Sequence, residues 1–424
     1  VKIAIVGGGV AGNVAAYHLC RDHDITLFEA GAHIGGHADT HVVRHEEQAI
    51  AVDTGFIVFN RRTYPQFVAL LEELAVEYQP SEMSFSVQCN GSGVEYNGTT
   101  LNRLFAQRRN LLRPAFWRMI GDILRFNREA PALLERPDEG ISLGDYLRVN
   151  RYSPQFIEHY ILPMGAAIWS SSPRALRRFP VCYLVRFFHN HDMLSVSGRP
   201  QWLTVQGGSA RYVQRLTAPF RDRIRLRTPV ESVHRTPMGA VVKARGCDPE
   251  RYDRVFLACH SDQALRVLGD ASETERAILG RIRYQRNEVV LHTDVGVLPK
   301  RRLAWAAWNY HLLDPGSERV AVTYNMNLLQ RLGTRTPLLV SLNMADRIHP
   351  ERIIEQFSYE HPVYTPEAIT AQGRQAEING PRRTYFCGAY WRYGFHEDGV
   401  VSALAALEHF NQHEHAQRYL HRTA

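Results

Sequence analysis

Hydrophobic and polar positions change period several times along the chain, and each change predicts an element. Residues 3–6 form a continuous apolar run, which predicts a buried strand ended by Gly7-Gly8-Gly9. An apolar helix follows from Val14 to Leu19, then a second strand from Asp24 to Phe28, with shorter strand-like pieces at Val42-Val43 and Ile50-Ala51-Val52. Phe67, Leu70, Leu71 and Leu74 recur at helical spacing, so 66–74 reads as an amphipathic helix with one buried face. Phe85 to Gln88 and Val94 to Tyr96 flank Asn90-Gly91-Ser92-Gly93, a hairpin signal.

Helical spacing dominates from Leu101 to Glu135 and from Ser142 to Ile168, broken at Pro114, Pro131, Pro154 and Pro163. A helix from Ala210 to Leu216 leads into strand patterns at Ile224 to Leu226, Val230 to Val233, Val241 to Ala244 and Arg254 to Ala258. These predict a β-meander followed by a buried strand. Glu288 to Thr293 and Val320 to Tyr324 are strand-like, Thr384 to Gly388 reads as a glycine-ended strand, and a helix from Gly399 to His421 closes the chain. The alternation predicts an α/β protein with one discontinuous domain (1–60, 200–260 and 380–424). An α+β domain (61–199 and 261–379) is expected to complete it, with a cleft between the two.

Composition narrows the function classes. With 45% hydrophobic and 22% charged residues over 424 positions, the chain reads as globular. No apolar run approaches the roughly 18 to 20 residues of a spanning helix. A strand starting at residue 2 leaves no signal peptide in view, so a cytoplasmic location is expected. Six cysteines without a Cys-x-x-Cys pair suggest reduced core residues. Neither His189-x-His191 with Asp192 nor His409, His413 and His415 completes a ligand set, so no metal is expected. The net charge of +7 is carried by arginine, the only lysines being Lys2, Lys243 and Lys300, which keeps anionic surfaces and substrates in play. No helix-turn-helix or zinc pattern accompanies it, so nucleic acid is not an expected partner.

The chemistry starts at Gly7-x-Gly9-x-x-Gly12, placed between a strand and a helix, where a dinucleotide pyrophosphate is cradled. Glu29 ends the second strand, placed to bind a ribose hydroxyl pair. Gly35-Gly36-His37, followed by Thr40, is a second glycine pair and shifts the reading from NAD to FAD. With it, the run from Val6 to Thr40 resembles the flavin-containing amine oxidase superfamily. So do Gly207-Gly208 with Tyr212, the strand around Val230, and the closing Phe386 to Ala389 and Gly394 to Ser402. The resemblance implies a Rossmann-type, glutathione-reductase-like FAD domain. It also implies cofactor contacts at Gly7, Gly9, Val10, Ala11, Gly12, Glu29, Ala30, Gly35, Gly36, His37 and Thr40, and at Gly55, Phe56, Val230, Gly388, Gly399 and Val400.

Two departures matter. His37 stands where the superfamily usually has arginine, and no lysine lies in the strand Asn287 to Thr293, where the flavin-facing lysine is expected. His292 and Glu288 are the nearby polar alternatives. His396 and Glu397 are candidate acid–base residues, with Tyr393 and Phe395 as aromatic walls.

Val52 to Asn60, Leu101 to Asn110, Trp169-Ser170-Ser171 and Ala389 to Gly399 resemble, more closely, bacterial NAD/FAD-binding proteins encoded beside cyclopropane-fatty-acid-synthase-like methyltransferases. That resemblance implies dehydrogenation of a methylated fatty acyl chain, with a lipid methyltransferase as partner. Amine oxidation, double-bond isomerisation and a non-catalytic flavoprotein role are the alternatives. A single nucleotide fingerprint favours oxygen, a quinone or a partner protein as electron acceptor over NAD(P). Finally, apolar residues interleave with arginines from Arg103 to Arg128, which suits an interfacial helix pair on an anionic membrane.

Overall fold

The first apolar run folds as Lys2–Val6, the middle strand of a five-stranded parallel sheet. The order is Ile224–Arg225, Asp24–Phe28, Lys2–Val6, Arg254–Leu257 and Thr384–Phe386. The structure, a computed structural model, describes residues 1–138, 140–195, 198–313 and 318–423, with side chains through residue 415. Alternate residues of the sheet serve two layers. Ile3 and Ile5 pack with the helix Val10–Leu19 and the closing helix His396–Thr423. Ala4 and Val6 face a three-stranded antiparallel sheet, Val230–Thr236, Gly239–Ala244 and Glu250–Tyr252. Burial on both faces is why these strands read as unbroken apolar runs.

A seven-stranded sheet forms the second unit. Its order is Ile353–Val363, Arg283–His292, Leu339–Leu342, Ala321–Asn325, Trp308–Leu312, Phe85–Cys89 and Glu95–Asn97. Helices Pro114–Glu129, Leu143–Val149, Leu162–Trp169 and Val181–Asn190 share a core with Val87, Tyr96, Tyr310 and Val322 of this sheet.

Several elements differ from the sequence reading. The expected meander splits. Ile224–Arg225 pairs parallel with Asp24–Phe28, and Arg254–Leu257 pairs with Lys2–Val6, leaving only the three antiparallel strands between them. The first helix starts at Val10, because Gly9 already caps it and its carbonyl accepts the Asn13 N–H at 3.0 Å. The closing helix starts at His396 rather than Gly399. Trp308–Leu312, Leu339–Leu342 and Ile353–Val363 are strands that the sequence pattern did not announce.

Candidate active site

Three glycines shape the turn after the first strand, each for a different reason. Gly7 sits at φ +107°, and a Cβ there would lie 2.8 Å from the Ala258 carbonyl oxygen. At Gly12 a Cβ would lie 1.9 Å from the Gly7 oxygen, so the helix packs on the turn only because no side chain intervenes. Gly9 is the opposite case: its Cβ would meet nothing within 4 Å, because that side opens into a cavity. The second glycine pair is laid against the first, with the Gly35 N–H donating to the Gly8 oxygen at 2.9 Å. Glu29 accepts the Gly8 N–H at 2.8 Å and the Gly31 N–H at 2.6 Å, and its side chain borders the same cavity.

That cavity has a volume of about 1570 Å³. Pockets for one small ligand run from about 300 to 1,000 Å³, so it has room for a cofactor and a substrate together. One lobe is lined by the glycine turn, Val10, Ala11, Glu29, Ala30 and Val230. A middle section is lined by Gly36, His37, Gly55, Phe56, Gly388 and His396. A further part carries Tyr160, Met164, Ile168 and Phe187 from the helical side and Trp308 and Tyr324 from the large sheet, with polar His191, Asp192 and Ser84 beside them.

Other nominated residues sit behind the walls. Thr40 donates its hydroxyl to Asp53 at 2.6 Å and accepts the Ala210 N–H at 2.9 Å, clamping two chain segments outside the cavity lining. Gly399 lets the closing helix approach the first helix, since a Cβ would lie 2.5 Å from Val10 Cγ1, and Val400 is buried in that core. Gly12, Gly35, Gly399 and Val400 therefore position the walls without lining them.

The candidate catalytic residues separate in the same way. His396 lines the cavity and stacks on Phe56 at 3.7 Å, with Nε2 hydrogen-bonded to the Tyr212 hydroxyl at 2.5 Å. Burial pushes its pKa down to about 3, so at neutral pH it is an uncharged ring with one nitrogen committed. Glu397, one residue on, turns away from the cavity and accepts the Gln66 and Phe67 N–H groups at 3.0 and 2.9 Å. It caps the helix Pro65–Glu73. Tyr393 and Phe395 do line the cavity, and Phe395 stacks on Phe187 at 5.3 Å. His292 does not. It is fully buried in the large sheet, bonded through Nε2 to Ser341 at 2.8 Å and through Nδ1 to the Asp294 N–H at 3.1 Å. Glu288 is exposed on the same strand.

The residue that sequence reasoning missed is His361, on Ile353–Val363. It lines the cavity with its ring 5.5 Å from that of His37. Its Nδ1 takes hydrogen bonds from Ser170 Oγ at 3.0 Å and Asn287 Nδ2 at 3.2 Å, while Asn287 Oδ1 accepts from Asn343. Nε2 therefore carries the proton. Burial holds His361 down at about 3 and His37 at about 4, so both are neutral at pH 7. Phe357, Tyr359 and His361 alternate with Ser358 and Glu360, a period-two pattern that could have revealed this strand.

Cofactor fit can be read from these walls. The open space over Gly9, the carboxylate of Glu29 and the cavity's volume suit a dinucleotide. Among the described residues no lysine lines the cavity, and no group of three or more His, Cys, Asp or Glu side chains converges on a metal site.

Fold and cavity together define a protein with a strand–turn–helix dinucleotide cradle opening into one large cavity. The chain belongs to the flavin-containing amine oxidoreductase family, whose model matches residues 10–291. It is an FAD-dependent oxidoreductase. Solved structures share the fold over nearly their whole length. A putative protoporphyrinogen oxidase from Exiguobacterium sp. 255-15 is 18% identical, covering 96% of this chain and 98% of its own, with a TM-score of 0.66. Cyclohexylamine oxidase from Brevibacterium oxydans IH-35A is 15% identical, over 97% and 99%, with a TM-score of 0.68. A CLA-producing fatty acid isomerase from P. acnes is 14% identical, over 96% and 98%, with a TM-score of 0.70. None of the curated proteins matches the chain at significant sequence similarity.

Proposed function

We propose that this protein dehydrogenates a fatty acyl chain, methylated or otherwise modified, held against an apolar wall of the cavity. The observation that carries the reading is the wall itself. Met164, Ile168, Phe187, Trp308 and Tyr324 offer an apolar wall. An amine substrate carries a charge that such a wall leaves unsolvated, whereas a hydrocarbon chain gains by leaving water.

Bound FAD supplies a two-electron acceptor. The protein's own residues line the space around the reacting carbons, with the uncharged rings of His37 and His361 beside the middle section; His361, its Nδ1 already hydrogen-bonded, can serve there only as a donor through Nε2–H. Arg199 borders the cavity and spends its Nε on the Ser195 carbonyl at 3.0 Å, which leaves its terminal nitrogens for a carboxylate or phosphate headgroup. The similarity in fold to a fatty acid isomerase favours the same substrate class.

Comparing acyl lipids from cells with and without the protein tests this reading. The expected change is a set of chains lighter by two hydrogen atoms. Chains of unchanged mass with a moved double bond would point to isomerisation, and an unaltered lipid profile with oxidised amines would overturn the proposal.

A further inference from the structure

The arginine-rich stretch noted in the sequence takes no part in the cavity chemistry, yet its surface is unusual. From Leu101 to Gly121 there are five arginines and no acidic residue. Leu101 is 76% exposed, Leu112 87% and Trp117 49%. Trp117 is fixed there, donating Nε1–H to the Leu111 carbonyl at 2.9 Å and lying 5.2 Å from the Phe105 ring.

The fold brings a second segment of the same composition to this place from nearly 200 residues away. Lys300, Arg301 and Arg302 precede Leu303, which is 44% exposed. Their loop is pinned by Glu95, whose carboxylate accepts the Lys300 and Arg301 N–H groups at 3.1 and 3.2 Å. The short helix Leu101–Leu104 packs against Arg302–Ala304. Acidic neighbours are already engaged, since Glu95 is buried and Glu82 pairs with Arg103 at 3.3 Å. Among the described residues, Arg108, Arg109, Arg113, Arg118, Lys300 and Arg301 form no ion pair, nor does Arg302.

We infer that this composite face docks on an anionic lipid bilayer. Exposed aliphatic and indole side chains enter the headgroup boundary while a single-sign rim of cations holds lipid phosphates. Charge argues against a second copy as the occupant, because the face would meet its own cations. Glu82, the partner of Arg103, lies between Ser81 and Met83, both of which line the cavity, so the docking face adjoins the chamber wall. The inference stands apart from the substrate reading, because binding is measured without turnover.

The test is co-sedimentation of the FAD-loaded protein with phosphatidylcholine vesicles and with mixed phosphatidylcholine–phosphatidylglycerol vesicles. Binding is expected only to the mixed vesicles and is expected to weaken as salt rises. Combining Arg118→Gln, Arg301→Gln and Arg302→Gln should weaken it roughly a hundredfold. Leu112→Asp should abolish the binding that persists at high salt. Both variants should keep wild-type flavin content and melting behaviour, as their side chains are on the surface. Absent binding, equal binding to neutral vesicles, unchanged binding by both variants, or a dimer that Leu112→Asp dissolves without vesicle binding would each overturn the inference.

Discussion

Gly9→Val is expected to give a folded protein without FAD, whereas Gly12→Ala is expected to give little folded protein at all. Both lie in one turn, yet their surroundings are opposite. Gly9 has φ −73° and ψ −176°, extended backbone that valine adopts readily, and its Cβ would meet no protein atom within 4 Å. The valine methyls would instead occupy the space where backbone N–H groups meet the pyrophosphate. At Gly12 the added carbon would stand 1.9 Å from the Gly7 oxygen, forcing helix and turn apart. Overpacking of this kind costs about 1 to 3 kcal/mol and more where backbone must move. Visible flavin absorbance and far-ultraviolet circular dichroism read the two outcomes separately. Normal FAD content in Gly9→Val would refute the placement of the phosphates.

Acid lability beginning above the carboxylate range is the second large expected effect. His292, His311 and His396 are buried, and burial holds their pKa values at about 4, 3 and 3. The unfolded chain binds protons at these histidines near pH 6.5 and the native state does not, so their contribution to stability is present above 6.5 and is lost as pH falls. At pH 5 each has titrated across about 1.5 units in the unfolded chain, costing about 2 kcal/mol apiece and about 6 kcal/mol together. Two buried carboxyls act oppositely. Asp53 and Asp398 are raised to about 6 by burial, so their protonated native forms return about 1 kcal/mol each by pH 5. The histidines outweigh the two carboxyls, and His37, His191 and His361, pushed down by burial in the same way, add to the loss, so the fall is a large share of the roughly 5 to 15 kcal/mol that holds a domain together. Urea midpoints measured from pH 8 to pH 5 should fall steadily below 6.5. A flat profile down to about pH 4.5 would contradict the buried, neutral state of these rings.

Fold class was legible where burial on both faces left an unbroken apolar signal, as in Lys2–Val6 and Arg254–Leu257, and where helical spacing was clean, as in Pro65–Glu73. Ile224–Arg225 read as part of a meander because only two residues pair, and nothing local says that their partner is Asp24–Phe28. Strand Ile353–Val363 went unseen because only Phe357 to His361 alternates, while Ile353-Ile354-Glu355-Gln356 does not and Pro362 interrupts the end, and with it went Tyr359 and His361. At the site, motifs located segments but not directions. His396 and Glu397 are adjacent, yet successive helical residues point about 100° apart. One therefore lines the cavity while the other caps a neighbouring helix. His292 lies on the expected strand, but register turns it into the sheet toward Ser341.

The central claim, that one chamber brings an apolar chain to the flavin, is tested most directly by anaerobic mixing of the FAD-loaded protein with acyl lipids and, separately, with primary amines. Bleaching of the visible flavin band by lipid, with stoichiometric formation of an unsaturated product and no response to amines, is the predicted result. Rapid bleaching by an amine, with none by any acyl lipid, would contradict it.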